Sequence, residues 1–270
     1  MVSDDPTHRK KVNSKQLELL HILYRFRFAT TDQIAAYLGK KNGTRVYRRV
    51  MILVEQGYIG RNYEPEYRKQ DMPASYFLRS KGIAALKKRD DKTYSQKVLH
   101  NIYKDAGASE QFVQSSLTIF DSYNRLKSQY GESLQFFTKS DLAGFESAHF
   151  PGQLPDAYIR LNSKSGLKQF FLDVHSIDQP LFKMPKRIKS YIDHLDSEVW
   201  SATGEPQPKV LAICDRASTQ KRLQSRIAKA KKPELAIFST LKSVMEKIGE
   251  SPSIWHPQAK LDESVSLEAI

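Results

Sequence analysis

Apolar residues recur at helical spacing in three short stretches near the start of the chain. The first stretch covers residues 16–28, and its apolar positions are Leu19, Leu20, Ile22, Leu23 and Phe26. In the second, a threonine N-cap opens a short helix that Gly39 closes, and in the third Thr44 caps a helix that runs to about Gln56 and stops at Gly57. Three short helices with tight turns predict a helix-turn-helix.

Two runs of β-forming residues follow the third helix. Residues 58–63 and 75–79 have the composition of strands, and the segment between them is polar and rich in Pro, Tyr, Arg and Lys. A hairpin after a helix-turn-helix is a wing, and a further helix begins at Ser80. The pattern therefore predicts a winged helix-turn-helix domain over residues 14–92.

The third helix has an apolar face and a basic face. Its apolar face consists of Val46, Val50, Leu53 and Val54, whereas Arg45, Arg48 and Arg49 lie together on another face near its N-terminal end. A recognition helix touches base edges in the major groove with this end, and arginine suits guanine O6 and N7. We therefore predict a DNA-binding set that comprises Thr44, Arg45, Arg48 and Arg49 in the helix and Arg61, Arg68 and Lys69 in the wing. Taken in isolation, this helix favours a solvated basic face, and it is the hairpin that follows which favours a recognition helix.

Beyond residue 105, helical and strand patterns alternate. A long helix is predicted over residues 109–130, with Phe112, Ile119, Tyr123, Leu126 and Tyr130 along one stripe and Val113, Leu117 and Phe120 beside it. Strands are predicted at residues 134–137, 155–161, 169–175, 209–214 and 235–239, and basic helices at 186–195 and 220–231. This order predicts a mixed sheet flanked by helices over residues 105–248, an α/β (α+β) fold. Residues 251–270, with two prolines and an acidic end, are predicted to form a mobile acidic tail.

Positive charge is concentrated in the predicted winged helix. The formal net charge of the chain is +13, and residues 1–90 hold 19 Lys and Arg against 9 Asp and Glu, which leaves 24 against 21 for the rest. Such a concentration attracts a polyanion through counterion release. No apolar run is long enough for a membrane span, and the only cysteine, Cys214, fits a reducing compartment. We expect a cytoplasmic protein that binds double-stranded DNA and no membrane.

Three polar residues of the second domain suggest chemistry: Asp156, Asp173 and His175. Side chains alternate along a strand, so Asp173 and His175 share one face, and an adjacent strand can bring Asp156 alongside. Two carboxylates over a sheet are hard oxygen ligands for Mg²⁺, which can activate water and neutralise a phosphodiester. The alternative is structural, with Asp156 starting a strand after a proline turn and the other two residues on a polar edge.

The order helix, strand, Pro-Asp strand, Asp-x-His strand, helix, strand is similar to the PD-(D/E)xK nuclease core. Combined with an N-terminal winged helix, it resembles the replication-relaxation family of plasmid and mobile-element proteins, which includes some mobilisation relaxases, over about residues 14–240. The resemblance implies a restriction-endonuclease-like mixed-sheet domain. It also implies that Asp156 and Asp173 hold Mg²⁺ or Mn²⁺ if the protein is catalytically active, with His175 as the third catalytic residue.

His175 departs from the pattern of this resemblance, because active nucleases usually have lysine at the third position. Histidine can act as a base or a ligand, but it does not replace the lysine charge. A lysine from elsewhere, such as Lys168, Lys183 or Lys186, is a candidate substitute.

Three functions remain open at the level of the sequence. In the first, the winged helix recognises a DNA site and the nuclease-like domain nicks or relaxes it during mobilisation or replication, as a metal-dependent endonuclease or relaxase. In the second, the protein is a catalytically inactive DNA-binding regulator or an accessory subunit of a nucleoprotein complex, and in the third it is a structural component of a larger nucleoprotein machine. A homodimer or other mobilisation and replication proteins are candidate partners.

Overall fold

The protein is described by a computed structural model over residues 12–41, 43–63, 72–143, 147–258 and 260–270. The chain divides into two compact units, Met1–Ala106 and Gly107–Ile270. In the described part of the chain, no helix is both long and apolar enough to cross a membrane.

The first unit follows the predicted order of three helices, a hairpin and a further helix. Its elements are α1 (Ser14–Phe26), α2 (Thr31–Tyr37), α3 (Thr44–Glu55), β1 (Ile59–Asn62), β2 (Ser75–Leu78), α4 (Ser80–Lys87) and α5 (Gln96–Ile102). The predicted domain end at residue 92 lies before α5, whereas the compact unit continues to Ala106.

Local capping fixes the ends of these helices. Asn13 and Thr30 each form a capping box with a glutamine three residues later, at the start of α1 and α2 respectively. Gly57 follows α3 with a φ of +74°, a conformation that favours glycine. The prediction that Thr44 caps α3 is wrong, because Gly43 holds the cap position without a side-chain bond and Thr44 is the first helical residue.

The hairpin is antiparallel, with Ile59 opposite Leu78 and Gly60 opposite Phe77. A Cβ atom on Gly60 would lie 2.2 Å from Cζ of Phe77, so only glycine permits this packing. The inner face of α3 is formed by the buried side chains of Val46, Val50 and Leu53. The apolar face predicted for α3 is therefore confirmed, apart from the partly exposed Val54.

The second unit is a mixed sheet with helices. Its elements are α6 (Glu110–Tyr130), β3 (Leu134–Thr138), α7 (Lys139–Leu142), β4 (Ala157–Ser163), β5 (Gly166–His175), α8 (Lys183–Asp196), β6 (Lys209–Cys214), α9 (Ala217–Ala230), β7 (Ile237–Leu241), α10 (Lys242–Met245) and β8 (His256–Pro257). In the described residues the strand order is β3-β4-β5-β6-β7-β8. The central strands β5, β6 and β7 are parallel, and the outer pairings are antiparallel. The predicted mixed-sheet α/β class is confirmed.

Helix α6 buries, fully or partly, most of its predicted apolar positions. Leu126 of the predicted stripe and Val113, Leu117 and Phe120 beside it are buried, and Phe112 is the exception at 40% exposed. The hydroxyls of Ser116 and Ser122, which lie on the buried side, donate to the carbonyl oxygens of Phe112 and Thr118 over 2.8 and 2.7 Å. Because these hydroxyls are satisfied by the helix itself, polar residues also occupy the core side of α6 beside the apolar ones.

The prediction of a mobile tail is wrong. Strand β8 pairs with β7, and the backbone N–H of Gln258 donates to the carbonyl of Ile237 over 3.1 Å. Trp255 and Leu267 are fully buried, and Ile270 is nearly so. The segment after residue 250 completes the sheet edge of the second unit, because its few large apolar side chains have a core to enter.

Candidate functional site

The antiparallel register of β4 and β5 brings the two predicted aspartates together. Ala157 lies opposite Leu172, so Asp156, directly before β4, faces Asp173 in β5. The backbone N–H of Asp156 donates to Oδ1 of Asp173 over 3.3 Å, and the N–H of Val174 donates to Oδ2 of Asp156 over 3.0 Å. Each carboxylate therefore accepts a hydrogen bond from the other strand, although Asp156 precedes its strand instead of lying within it.

A partly buried arginine of α8, Arg187, spans both carboxylates. Nε of Arg187 lies 3.2 Å from Oδ2 of Asp173, and Nη2 lies 3.6 Å from Oδ1 of Asp156. Nη1 donates to the carbonyl oxygens of Gln153 and Leu154 over 2.8 and 2.7 Å. Burial lowers the pKa of Arg187, but the charges of Asp173 and Asp156 outweigh burial and raise the pKa overall. The guanidinium therefore stays cationic between the two acids.

Tyr191, one turn after Arg187, completes the cluster from an aromatic layer. Its hydroxyl donates to Oδ2 of Asp173 over 2.8 Å, and its ring stacks on Phe171 at 5.7 Å between centroids. Trp200 packs edge-on against Phe171. Burial and the charge of Asp173 raise the pKa of Tyr191 well above its usual range, so the hydroxyl keeps its proton as a donor.

His175 lies two residues after Asp173 on β5 and is buried. Its Nδ1 has no hydrogen-bond partner in the described part of the chain. Burial lowers the pKa of His175, against the opposing charges of Asp173 and Asp156. A neutral imidazole results near neutral pH, so His175 does not provide the positive charge that a lysine would carry.

The lysines proposed as substitutes lie elsewhere. Lys168 pairs across the sheet with Leu161, at the opposite end of β5 from His175, and Lys183 and Lys186 are exposed on α8. Sequence reasoning missed Arg187 and Tyr191. A signal was present, since Met184, Arg187, Ile188 and Tyr191 follow the i, i+3, i+4, i+7 spacing of a buried helical stripe, in which an arginine is out of place unless paired.

The donor set around the aspartates does not fit a resident Mg²⁺ or Mn²⁺. All four carboxylate oxygens already face donors or cations, namely Arg187, Tyr191 and two backbone N–H groups. No group of three or more His, Cys, Asp or Glu side chains within the described ranges is placed to hold a metal ion. Asp173 is 1% exposed, so its oxygens are shielded from solvent.

The basic face of α3 is presented to solvent in the first unit. Thr44, Arg45 and Arg48 are exposed and Arg49 is partly exposed. On the hairpin, the guanidinium of Arg61 lies over the ring of Tyr63, 4.5 Å from its centroid. The other two predicted wing residues, Arg68 and Lys69, lie outside the described residues.

A cationic groove runs beside this face. Its volume is about 570 Å³, and its lining comprises Lys15, Glu18, Leu38, Lys40, Lys41, Arg45, Val46 and Arg49. Five of these side chains are cations and one is an anion, so the groove has a strongly positive potential. Sequence reasoning did not include Lys15, Lys40 or Lys41, because the first comes from α1 and the others from the turn before α3.

Comparison with known proteins gives a family and a weak structural likeness. The solved structure of restriction endonuclease FokI aligns with 87% of this chain and 44% of its own, at 11% identity and a TM-score of 0.33, which supports no conclusion about fold or activity. The chain matches no curated protein. The replication-relaxation family matches residues 20–205, more than two thirds of the chain. The resemblance in the sequence is thereby confirmed, and the chain belongs to the replication-relaxation family.

Proposed function

We propose that this protein binds double-stranded DNA with its first unit during replication or mobilisation of a plasmid or other mobile element, in the cytoplasm. The observation that carries the proposal is the cationic groove beside α3, where Arg45 and Arg49 meet Lys15, Lys40 and Lys41. Replication-relaxation membership is consistent with a role on DNA.

The groove and the exposed arginines have the distribution that DNA binding requires. Lysines around a groove release counterions from the DNA phosphates and fix the position of the protein along the duplex. Arginines near the start of a recognition helix instead reach the base edges. Arg45 and Arg48 are exposed and Arg49 is partly exposed, so their guanidinium groups are accessible to a ligand. The element order of helices followed by a hairpin supports a winged helix as the reading module.

Titration of labelled duplex DNA with the full chain tests the proposal. We expect binding at low ionic strength that the combined variant Arg45→Ala, Arg48→Ala and Arg49→Ala weakens strongly. A matched control carries Lys87→Ala, Lys88→Ala and Lys97→Ala, three exposed cations of the same unit away from the groove. Equal weakening by both variants, or no duplex binding at all, contradicts the proposal.

A second candidate function is phosphodiester cleavage by the second unit, and one observation favours it. Asp156 lies directly opposite Asp173 and exchanges backbone-to-carboxylate hydrogen bonds with the segment around it, which supports a paired role for the two acids. Incubation of supercoiled plasmid with the protein and Mg²⁺ or Mn²⁺ distinguishes DNA cleavage from DNA binding without cleavage. Nicking that disappears in Asp156→Ala and Asp173→Ala supports cleavage, whereas retained binding without nicking supports a DNA-binding regulator or accessory subunit.

A further inference from the structure

We propose that Arg187 is the permanent counter-charge of Asp156 and Asp173, and that these carboxylates bind a divalent metal only when Arg187 is removed. The two carboxylates are then a latent metal site in which a guanidinium takes the place of the ion. This inference concerns the second unit alone and does not rest on DNA binding.

The guanidinium reaches both acids from one position. Its Nε lies 3.2 Å from Asp173 and its Nη2 lies 3.6 Å from Asp156. A metal that bridges the same carboxylates needs oxygen ligands at about 2.1 Å, in the volume between them. Because a cation already fills that volume, metal and arginine compete for one place.

Arg187 is also hydrogen-bonded on its other side, so moving its guanidinium away from the carboxylates costs free energy. Its Nη1 donates to the carbonyl oxygens of Gln153 and Leu154, which directly precede the Pro155–Asp156 pair. The same short segment therefore positions the aspartate and anchors the arginine. The side chain of Arg187 is only 15% exposed, so moving it would leave two carbonyls and two carboxylates without their cationic partner.

The other hydrogen bonds to the two carboxylates further stabilise the ion pairs with Arg187. Tyr191 donates to the Asp173 oxygen that faces Arg187, and backbone N–H groups occupy the other two oxygens. The positive charge of the site comes from Arg187 in α8, which lies against both carboxylates. An arginine in this role balances the acids without any ion from solution.

Manganese binding by the full chain tests this inference directly. Free Mn²⁺ gives an electron paramagnetic resonance signal that is lost on binding, and thermal unfolding in MnCl₂ against NaCl of equal ionic strength gives a second readout. Arg187→Met retains most of the aliphatic stem and removes the cation. Two controls accompany it: Tyr191→Phe removes one donor from the site and leaves the cation, and Arg160→Met breaks a more exposed arginine pair with Glu205.

We expect no stoichiometric Mn²⁺ binding by the wild-type chain, by Tyr191→Phe or by Arg160→Met. Arg187→Met should unfold on the order of 10 °C lower, because it leaves the buried Asp173 and the partly buried Asp156 without a counter-charge, and Mn²⁺ should restore part of the loss with near-stoichiometric binding. Adding Asp173→Asn to Arg187→Met should abolish that binding. Two results overturn the inference. One is that the wild-type chain binds Mn²⁺ and loses this binding in Asp156→Asn or Asp173→Asn. The other is that Arg187→Met folds but binds no metal.

A further variant keeps the test decisive if Arg187→Met does not fold. Arg187→Lys preserves a cation with fewer donors, and it should fold and bind no Mn²⁺. Binding by Arg187→Lys that depends on Asp173 overturns the inference. DNA binding by these variants should equal that of the wild type, so failure of the proposed DNA function and failure of this inference give different results.

Discussion

Arg27 and Asp105 form a two-pronged ion pair within the first unit. Nε of Arg27 donates to Oδ2 of Asp105 over 2.9 Å, Nη2 donates to Oδ1, and Nη2 also donates to the carbonyl oxygen of Asn101 over 3.1 Å. The pair joins the end of α1 to the segment that follows α5. Asp105 is only 2% exposed, so its charge depends on this arginine.

Removing the cation should therefore destabilise the first unit strongly. We expect Arg27→Met to lower the free energy of unfolding by about 3–5 kcal/mol, because it leaves a buried carboxylate without a counter-charge. Urea unfolding of the full chain measures the change. Arg89→Met is the control, since its partner Asp91 is largely exposed, and a loss as large as that of Arg27→Met would contradict the argument.

The lysines of the groove and Arg48 on the basic face of α3 should affect DNA binding differently. Replacement of Lys40 and Lys41 by Ala should weaken binding to all duplexes alike and reduce the slope of log affinity against log salt by about 0.9 for each lost phosphate contact. Arg48→Ala should instead relax discrimination between sequences, by about 1–3 kcal/mol for one base contact. Salt titrations with a preferred and an unrelated duplex measure both effects. A change in salt slope alone for Arg48→Ala would contradict base reading by α3.

Acid should destabilise the second unit through His194. Burial lowers the pKa of His194 below its ordinary value of 6.5, although the carbonyl of His149 opposes this shift. The unfolded chain then takes up the proton at a higher pH than the folded chain, so the stability is complete above 6.5 and falls as the pH drops towards the folded pKa. Urea unfolding from neutral to mildly acidic pH should show a smaller decline in His194→Gln. The exposed His100→Gln is the control and should keep the wild-type decline.

The C-terminal segment should contribute to the core of the second unit. Trp255→Ala is expected to cost about 3–5 kcal/mol of unfolding free energy, because the indole is fully buried and leaves a cavity. Glu268→Ala in the same segment is exposed and should change stability little. Wild-type stability of Trp255→Ala in urea would show that the segment is dispensable.

Cys214 should be inert in the native state. Burial raises the pKa of its thiol to about 12, and its side chain is fully buried in β6. The thiolate that reacts with disulfide reagents is therefore scarce and inaccessible at neutral pH. Ellman's reagent should react with the native chain only as fast as the chain unfolds, and promptly in denaturant. Immediate reaction without denaturant would contradict this burial.

Local chemistry in the sequence was sufficient for the elements and their order. The Thr30 cap, the positive φ at Gly57 and the alternation of side chains along β5 act over a few residues, so they are readable without tertiary contacts. The opposition of Asp156 and Asp173 was also expected, because adjacent strands with side chains of period two bring such residues together. Family membership followed from the same order of elements.

Only the tertiary structure decided how charges and surfaces are paired. Arg187 enters the aspartate pair because α8 turns one face to the sheet, and a sequence does not say which distant helix covers a given strand. For the same reason, the prediction of a mobile tail was wrong, since Trp255 of that segment is buried in the core. Short-range rules fix where a helix or strand begins, but the burial of a particular side chain depends on contacts that form only after distant segments pack.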